Sequence, residues 1–302
     1  MYLTLAIIEN PNPPAYEALA PEDGGDAESA TTLTADGPAP DRSKPITSSL
    51  RATNRLLRSI GGWRSNFRGF WCDFALGFAT VICRGIFGAF TYPWIGTLLA
   101  SLALVQLSTA WVTIAISQPS PRPFWRRLPP LRRTFEATCF PVLTQWLALT
   151  ITAFIPLGIA RLIRLDVWDP SNPSNPPTIN GHSAWKGLIV FIVSMTLYVL
   201  LVIPSQVVLR RVQASLLPPD EDAIVSFDRS YDGTLEPALV GGKGFVTMKD
   251  AFRTFSRDSW IRLYKLYFKI FLATLALYTF VSVVFLIEFF SVAAATPQDG
   301  PN

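Results

Sequence analysis

The chain has 302 residues, of which 50% are hydrophobic and only 16% charged, with a formal net charge of +4. Soluble domains carry roughly 25% charged residues, so the deficit argues against an ordinary water-soluble domain and for lipid as part of the solvent. Three cysteines and a single histidine exclude a disulfide framework and a spaced zinc site.

Residues 1–11, MYLTLAIIENP, hold a short apolar run with no basic leader that ends at Glu9, so neither a signal peptide nor a presequence fits. Residues 10–48 are rich in Pro, Ala, Asp, Glu, Ser and Thr. Such composition buries too little surface to offset ordering entropy, and the whole of 1–48 is expected to be a disordered acidic tail. Composition changes at Ser49. Through residue 68 the chain places Arg51, Arg55, Arg58, Arg64 and Arg68 among Leu50, Leu57, Ile60, Trp63 and Phe67. Arg51, Arg55 and Arg58 follow i, i+4, i+7, which predicts a basic amphipathic helix lying on anionic headgroups.

Phe70 to Ser117 is almost continuously apolar and is broken once, at Tyr92-Pro93. One crossing needs about 20 residues, so this run predicts a hairpin of two spans, near 69–92 and 93–117. The first span contains Asp73 and Arg84, eleven residues apart and hence on nearly one helix face, about 16 Å along the axis. Gly77, Gly85 and Gly88 accompany them. An arginine at depth must face protein or water. Two readings stay open: Arg84 is paired inside the bundle for assembly, or it lines a polar path or holds an anionic group. Asp73, Arg84, Gln106 of the second span and Gln145 of the third form the candidate intramembrane polar set.

The loop 118–136 carries Arg122, Arg126, Arg127, Arg132 and Arg133 with five prolines, which fixes an extended course on the basic, cytosolic side. The third span, 137–160, contains Pro141 and Pro156, and a kink is expected at Pro156. A polar loop, 161–186, follows, with Trp168 and Trp185 near its ends as interfacial anchors. The fourth span, 187–203, is expected to end at Pro204. The next segment, 204–267, reads as a cytosolic loop with a short helix over 207–217 bearing Arg210 and Arg211. Its GGKG at 241–244 lacks the hydroxyl residue of a phosphate loop, since Phe245 follows, and reads as a turn. Thr247 to Tyr267 is strongly amphipathic, with Thr247 and Asp250 as a capping pair and Lys249, Arg253 and Arg257 as an i, i+4, i+8 stripe. The last span, near 268–290, leads to a base-free tail, 291–302.

The fold class predicted is therefore all-α: a polytopic helical membrane protein of about five spans with interfacial amphipathic helices. Five spans place all three basic regions on one side. The N-terminus is then cytosolic and the C-terminus lumenal or extracellular, with an endomembrane of the ER type as the expected location.

Two segments, AWVTIAISQPSPRPFWRRLPP (110–130) and VIPSQVVLRRVQASLLPPDEDAIVSFDRS (202–230), resemble a poorly characterised family of fungal multi-spanning membrane proteins, over roughly residues 50 to 290. Members are sometimes labelled ubiquitin carrier proteins. The resemblance implies a membrane protein and no known chemistry: a conjugating domain needs a His-Pro-Asn motif, whereas His182 is followed by Ser183.

The function expected first is a non-enzymatic scaffold or adaptor. Arg126, Arg127, Arg132, Arg133, Lys249, Arg253 and Arg257 would bind anionic lipid headgroups or protein partners, and no nucleic acid. The alternative is a small transporter or channel subunit with a polar path near Arg84. A lipid-modifying enzyme ranks third, because membrane acyl or phosphoryl chemistry usually needs His, paired carboxylates or a metal cluster. No catalytic residue, cofactor or metal is expected.

Overall fold

Apolar length governs the architecture. The structure, a computed structural model, describes residues 1–9, 47, 49–120, 122–165, 181–231, 233–235 and 244–295. Four helical stretches, Ser65–Phe90, Leu131–Leu162, Ser183–Ser215 and Arg257–Glu288, are long and apolar enough to cross a bilayer. A fifth crossing exists if the pair Pro93–Ala103 and Val105–Ile116, bent by 58°, counts as one. The described residues contain no β-strand, only an isolated antiparallel bridge between Ser117 and Ala223.

The first element corrects the expected tail. Tyr2–Ile8 is a helix (α1), and Thr4 through Glu9 are buried. Burial of Leu5, Ile7 and Ile8 stabilises the fold by about 1.5–3 kcal/mol each relative to exposure. The short apolar run that fitted neither a signal peptide nor a presequence is core. Residues 10–46 and 48 lie outside the described residues. The basic segment forms the expected amphipathic helix: Leu50–Gly61 (α2) exposes Arg51, Arg55 and Arg58 and buries Thr53 and Leu57, with Ser49 capping its start, and a 3-10 turn, Trp63–Phe67, follows.

Phe70–Phe90 (α3) and Pro93–Ala103 (α4) form the hairpin. The two pack tightly because Gly96 faces Gly88: a Cβ on Gly96 would come within 2.7 Å of the Gly88 backbone. Val105–Ile116 (α5) then turns away into the interior, where Val105, Ala110, Val112, Ala115 and Ile116 are fully buried. The predicted second span is thus broken at Leu104.

Leu131–Leu162 (α6) runs through both Pro141 and Pro156 without interruption. Trp146 of α6 stacks on Trp94 at 5.8 Å and donates its indole N–H to the Trp94 carbonyl oxygen at 2.9 Å, which fastens the hairpin to the third span.

The fourth span does not end at Pro204. Gly181–Leu197 (α7) passes through a π-turn, Tyr198–Val202, directly into Ile203–Ser215 (α8). Proline has no N–H to give the carbonyl four residues back. The π register answers this by shifting the ladder one residue, the Ile203 N–H donating to the Tyr198 carbonyl. So the expected 204–267 loop begins with twelve helical residues, Pro204 to Ser215.

The Thr247–Tyr267 helix is also corrected. Met248–Arg253 (α9) stops at Thr254, and a new helix, Arg257–Ala295 (α10), starts after Ser256, whose hydroxyl accepts from the Ser259 N–H. Arg257 therefore stands on a different helix from Lys249 and Arg253. The Thr247 cap holds, its hydroxyl accepting from the Asp250 N–H.

Two ends result. At one, α1, α5, α8, the first three turns of α10 and the 216–231 loop enclose a shared core of Leu5, Ile7, Val112, Ile203, Val207, Val225 and Leu263. At the other, α3, the far part of α6, α7 and the rest of α10 present apolar side chains outward, and none of the α10 membrane window is buried within the chain.

Candidate functional site

At the packed end, buried charges are held by named partners. Glu9, at the end of α1, pairs with Arg262 of α10 at 3.1 Å, with side-chain exposures of 2% and 8%. The other terminal nitrogen of Arg262 donates to the carbonyl oxygens of Ala6 and Glu9, which fills acceptors left open at the end of α1. Thr47 donates to the same Glu9 carboxylate from its N–H at 3.0 Å and from its hydroxyl. Arg211 of α8 lies over the rings of Tyr231 and Phe255 at 4.9 and 5.2 Å and donates to the Thr254 hydroxyl at 2.8 Å. Tyr231 returns a hydrogen bond to the Arg211 carbonyl at 2.6 Å, and its burial pushes the phenol well above the usual tyrosine range.

The candidate site lies where the 3-10 turn and the start of α3 meet the arginine-proline loop. A cavity of about 880 Å³ opens there, walled by Phe67, Phe70, Trp71, Phe74, Phe124 and Trp125 and bearing Arg68, Arg122 and Arg127. Gly69, in the left-handed region at φ 73°, lets the chain turn from the 3-10 segment into the span and packs against Trp111 and Ile114. That turn brings Arg68 beside the end of α5, where its Nη2 donates to the Ser117 carbonyl at 2.5 Å. Its Nη1 is buried with no partner among the described residues. Arg127 is placed by a 3-10 turn over Phe124–Arg127. It pairs with Glu221 through Nε at 3.0 Å and Nη2 at 2.5 Å, and Nη2 also reaches the Ser117 hydroxyl at 2.6 Å. Glu221 is brought there because the bridge at Ser117–Ala223 lays the 218–224 loop along the end of α5: Gln118 N–H donates to the Asp222 carbonyl and Ile224 N–H to the Ile116 carbonyl. Arg229 holds the same loop through the carbonyls of Pro218, Pro219 and Glu221.

Three cations and one committed carboxylate leave this cavity short of negative charge. Aromatic walls continuing onto α3 leave room for something apolar. Its chemistry is that of an anion carried on an apolar body.

The predicted basic residues divide. Arg126, Arg127 and Arg133 come together with Arg122 around a smaller cleft of about 310 Å³ that Asp220 and Glu221 also line. Arg133 is spent there on the Gly244 carbonyl at 2.5 Å. Arg132 points elsewhere and makes an exposed i, i+4 pair with Glu136 at 3.1 Å. Lys249 and Arg253 stand together at a groove of about 600 Å³ between α6, α8 and α9, otherwise lined by Pro141, Leu147, Leu200 and Phe252. Arg257 is exposed at the start of α10.

The candidate intramembrane set does not line one passage. Gln106 donates to the Pro129 carbonyl at 2.7 Å, and Gln145 accepts from the Ser205 hydroxyl at 2.7 Å, so both fasten elements to each other. Asp73 and Arg84 are exposed on α3. Arg68, Arg122 and Glu221 escaped the list of site candidates. The signal available was a basic residue before a glycine at a span start, with an acidic Pro-Pro-Asp-Glu loop elsewhere to oppose it.

Compared with known proteins, the chain matches no family model, no curated protein and no solved structure.

Proposed function

We propose that this chain is a non-enzymatic multi-pass membrane scaffold whose cytosolic end holds anionic lipid headgroups or acidic partner segments. The observation carrying this reading is the aromatic-walled cavity lined by Arg68, Arg122 and Arg127, with no carboxylate among its described lining residues and Arg127 alone paired, to Glu221. Surplus positive charge at the cavity, from half-buried Arg68 and exposed Arg122, favours an anionic occupant, and aromatic residues at a span entrance suit the headgroup level.

The orientation proposed is N-terminus cytosolic and C-terminus on the far side, over five spans. Supporting it, α1 packs beside Arg262 near the start of α10, while the described part of α10 extends 33 residues beyond Arg262. That is roughly 50 Å of helix, more than a bilayer core.

The test is native mass spectrometry of the full-length protein in phosphatidylcholine nanodiscs with and without phosphatidylserine. Retention of phosphatidylserine that falls at least tenfold in Arg68→Gln/Arg122→Gln supports the reading. Equal retention of both lipids by the wild type, together with no acidic partner segment crosslinking near Trp125, would overturn it.

A further inference from the structure

On the outward-facing part of α3, Arg84 is a cation without a charged partner among the described residues. Arg84 lies fourteen residues beyond Phe70 and six before Phe90, about 21 Å from one end of α3 and about 9 Å from the other. It is exposed and makes no hydrogen bond or ion pair among the described residues. The helices packed against α3 offer no help, since neither α4 nor α5 contains an acidic residue. Asp73 shares its face but stands eleven residues away, about 16 Å along the axis. Glu288 belongs to α10, whose membrane window is nowhere buried within the chain.

Reaching the nearer bilayer surface is not an easy escape. Every Cα–Cβ bond in a helix tilts toward the helix N-terminus. For Arg84 that direction runs toward the middle of the bilayer, away from Phe90. An intramembrane cation so placed calls for a counter-charge from another helix. The surface beside it is shaped for close approach. Gly77, Thr80 and Arg84 fall at i, i+3 and i+7, and a Cβ added at Gly77 or Gly85 would meet nothing within 4 Å. Gly88, by contrast, is already covered by Gly96 of α4. The same face of a second copy does not suit it: two copies inserted the same way and meeting through this face would set Arg84 against Arg84 at equal depth.

We propose that the Arg84 face of α3 docks a transmembrane helix of a different protein, one carrying an Asp or Glu at the depth of Arg84. This inference does not depend on the anion cavity at the packed end and would survive its failure.

The experiment uses full-length protein labelled for energy transfer in phosphatidylcholine vesicles. The probe is a leucine-rich membrane-spanning peptide with a single Glu at the depth of Arg84. The Glu peptide is expected to associate at least tenfold more tightly than the same peptide with Leu there, or with its Glu moved to the opposite end. Arg84→Lys keeps most of that preference and Arg84→Leu abolishes it. Arg84→Glu transfers the preference to a peptide bearing Lys. The peptide series on wild-type protein decides the matter even if Arg84→Leu fails to fold. Equal association of the Glu and Leu peptides would overturn the proposal. So would a Glu preference that persists in Arg84→Leu, or one that anionic lipid removes while the Leu peptide still binds as well.

Discussion

A single helix shows how differently the two ends of this molecule are built. In its first three turns α10 buries Ser259, Leu263 and Leu266 and sets Arg262 against Glu9. Beyond Tyr267 the same helix turns Phe268, Leu272, Leu275, Phe280 and Phe285 outward. The sequence changes with the surroundings, from four charged residues in 257–267 to two in 268–290. Where protein surrounds the helix, charged and polar groups are admitted with partners, as Arg262 is with Glu9 and Ser259 with Ser256. Where lipid surrounds it, side chains need no partner as long as they are apolar, and a lone charge such as Arg84 becomes the exception to be explained.

The contrast is broken most severely at the buried pair. Arg262→Met removes the cation facing the Glu9 carboxylate, leaving it the Thr47 hydrogen bonds, and strips the donor from the Ala6 and Glu9 carbonyls; removing one partner of a buried pair costs about 3–5 kcal/mol. Thermal unfolding of the detergent-purified protein should show that loss, with α1 becoming protease-accessible. The double variant Glu9→Gln/Arg262→Met should recover part of it. A smaller effect is expected at the hairpin. Gly96→Ala forces α4 off the Gly88 backbone and should cost about 1–3 kcal/mol, read as crosslinking lost between cysteines placed on α3 and α4.

Next comes Tyr231, buried to 1% exposure, whose φ of 50° strains its backbone for a bulky residue. Tyr231→Phe removes the hydrogen bond to the Arg211 carbonyl and should cost about 1 kcal/mol. The phenol is held neutral by burial, so its folded value lies above the ordinary value near 10. Its stabilising contribution is complete below about pH 10 and is lost as pH rises past that point. A wild-type unfolding midpoint that declines above pH 10, and declines less in Tyr231→Phe, checks the sign. The smallest effect is expected at the exposed face of α2: Arg51→Gln/Arg55→Gln/Arg58→Gln should change stability by under about 0.5 kcal/mol while lowering affinity for anionic vesicles in a salt-sensitive manner.

The bare end was legible in the sequence because a lipid-facing helix is written in its own composition. The runs at 137–160 and 268–290, and the break at Tyr92-Pro93, announced spans without any knowledge of neighbours. The packed end was read less well, for a physical reason. That Leu5, Ile7 and Ile8 are core depends on Val112, Val207 and Leu263, which lie more than a hundred residues away, and no local pattern encodes that distance. Pro204 misled for a related reason. Its missing N–H is a local fact, but the π-turn that accommodates it occupies Tyr198–Val202, a stretch with no sequence mark beyond apolarity. At the candidate cavity the arginines were visible as a cluster. Which of them would be consumed by Glu221 and Gly244 was not, because those partners come from the 218–222 loop and the turn before α9.

Because its first turns are fastened to α1 by the Arg262–Glu9 pair and to α8 by the Tyr267–Gln206 hydrogen bond, α10 is not free to choose its inclination when the surrounding bilayer is thinner than the helix is long. A loosely held span relieves such mismatch by leaning. Here the lipid has to do the adjusting, stretching or compressing around a post of fixed angle. Membrane thickness thereby becomes a load on the seat of Glu9 and Arg262, and reconstitution across a series of acyl-chain lengths should shift the unfolding midpoint of that seat.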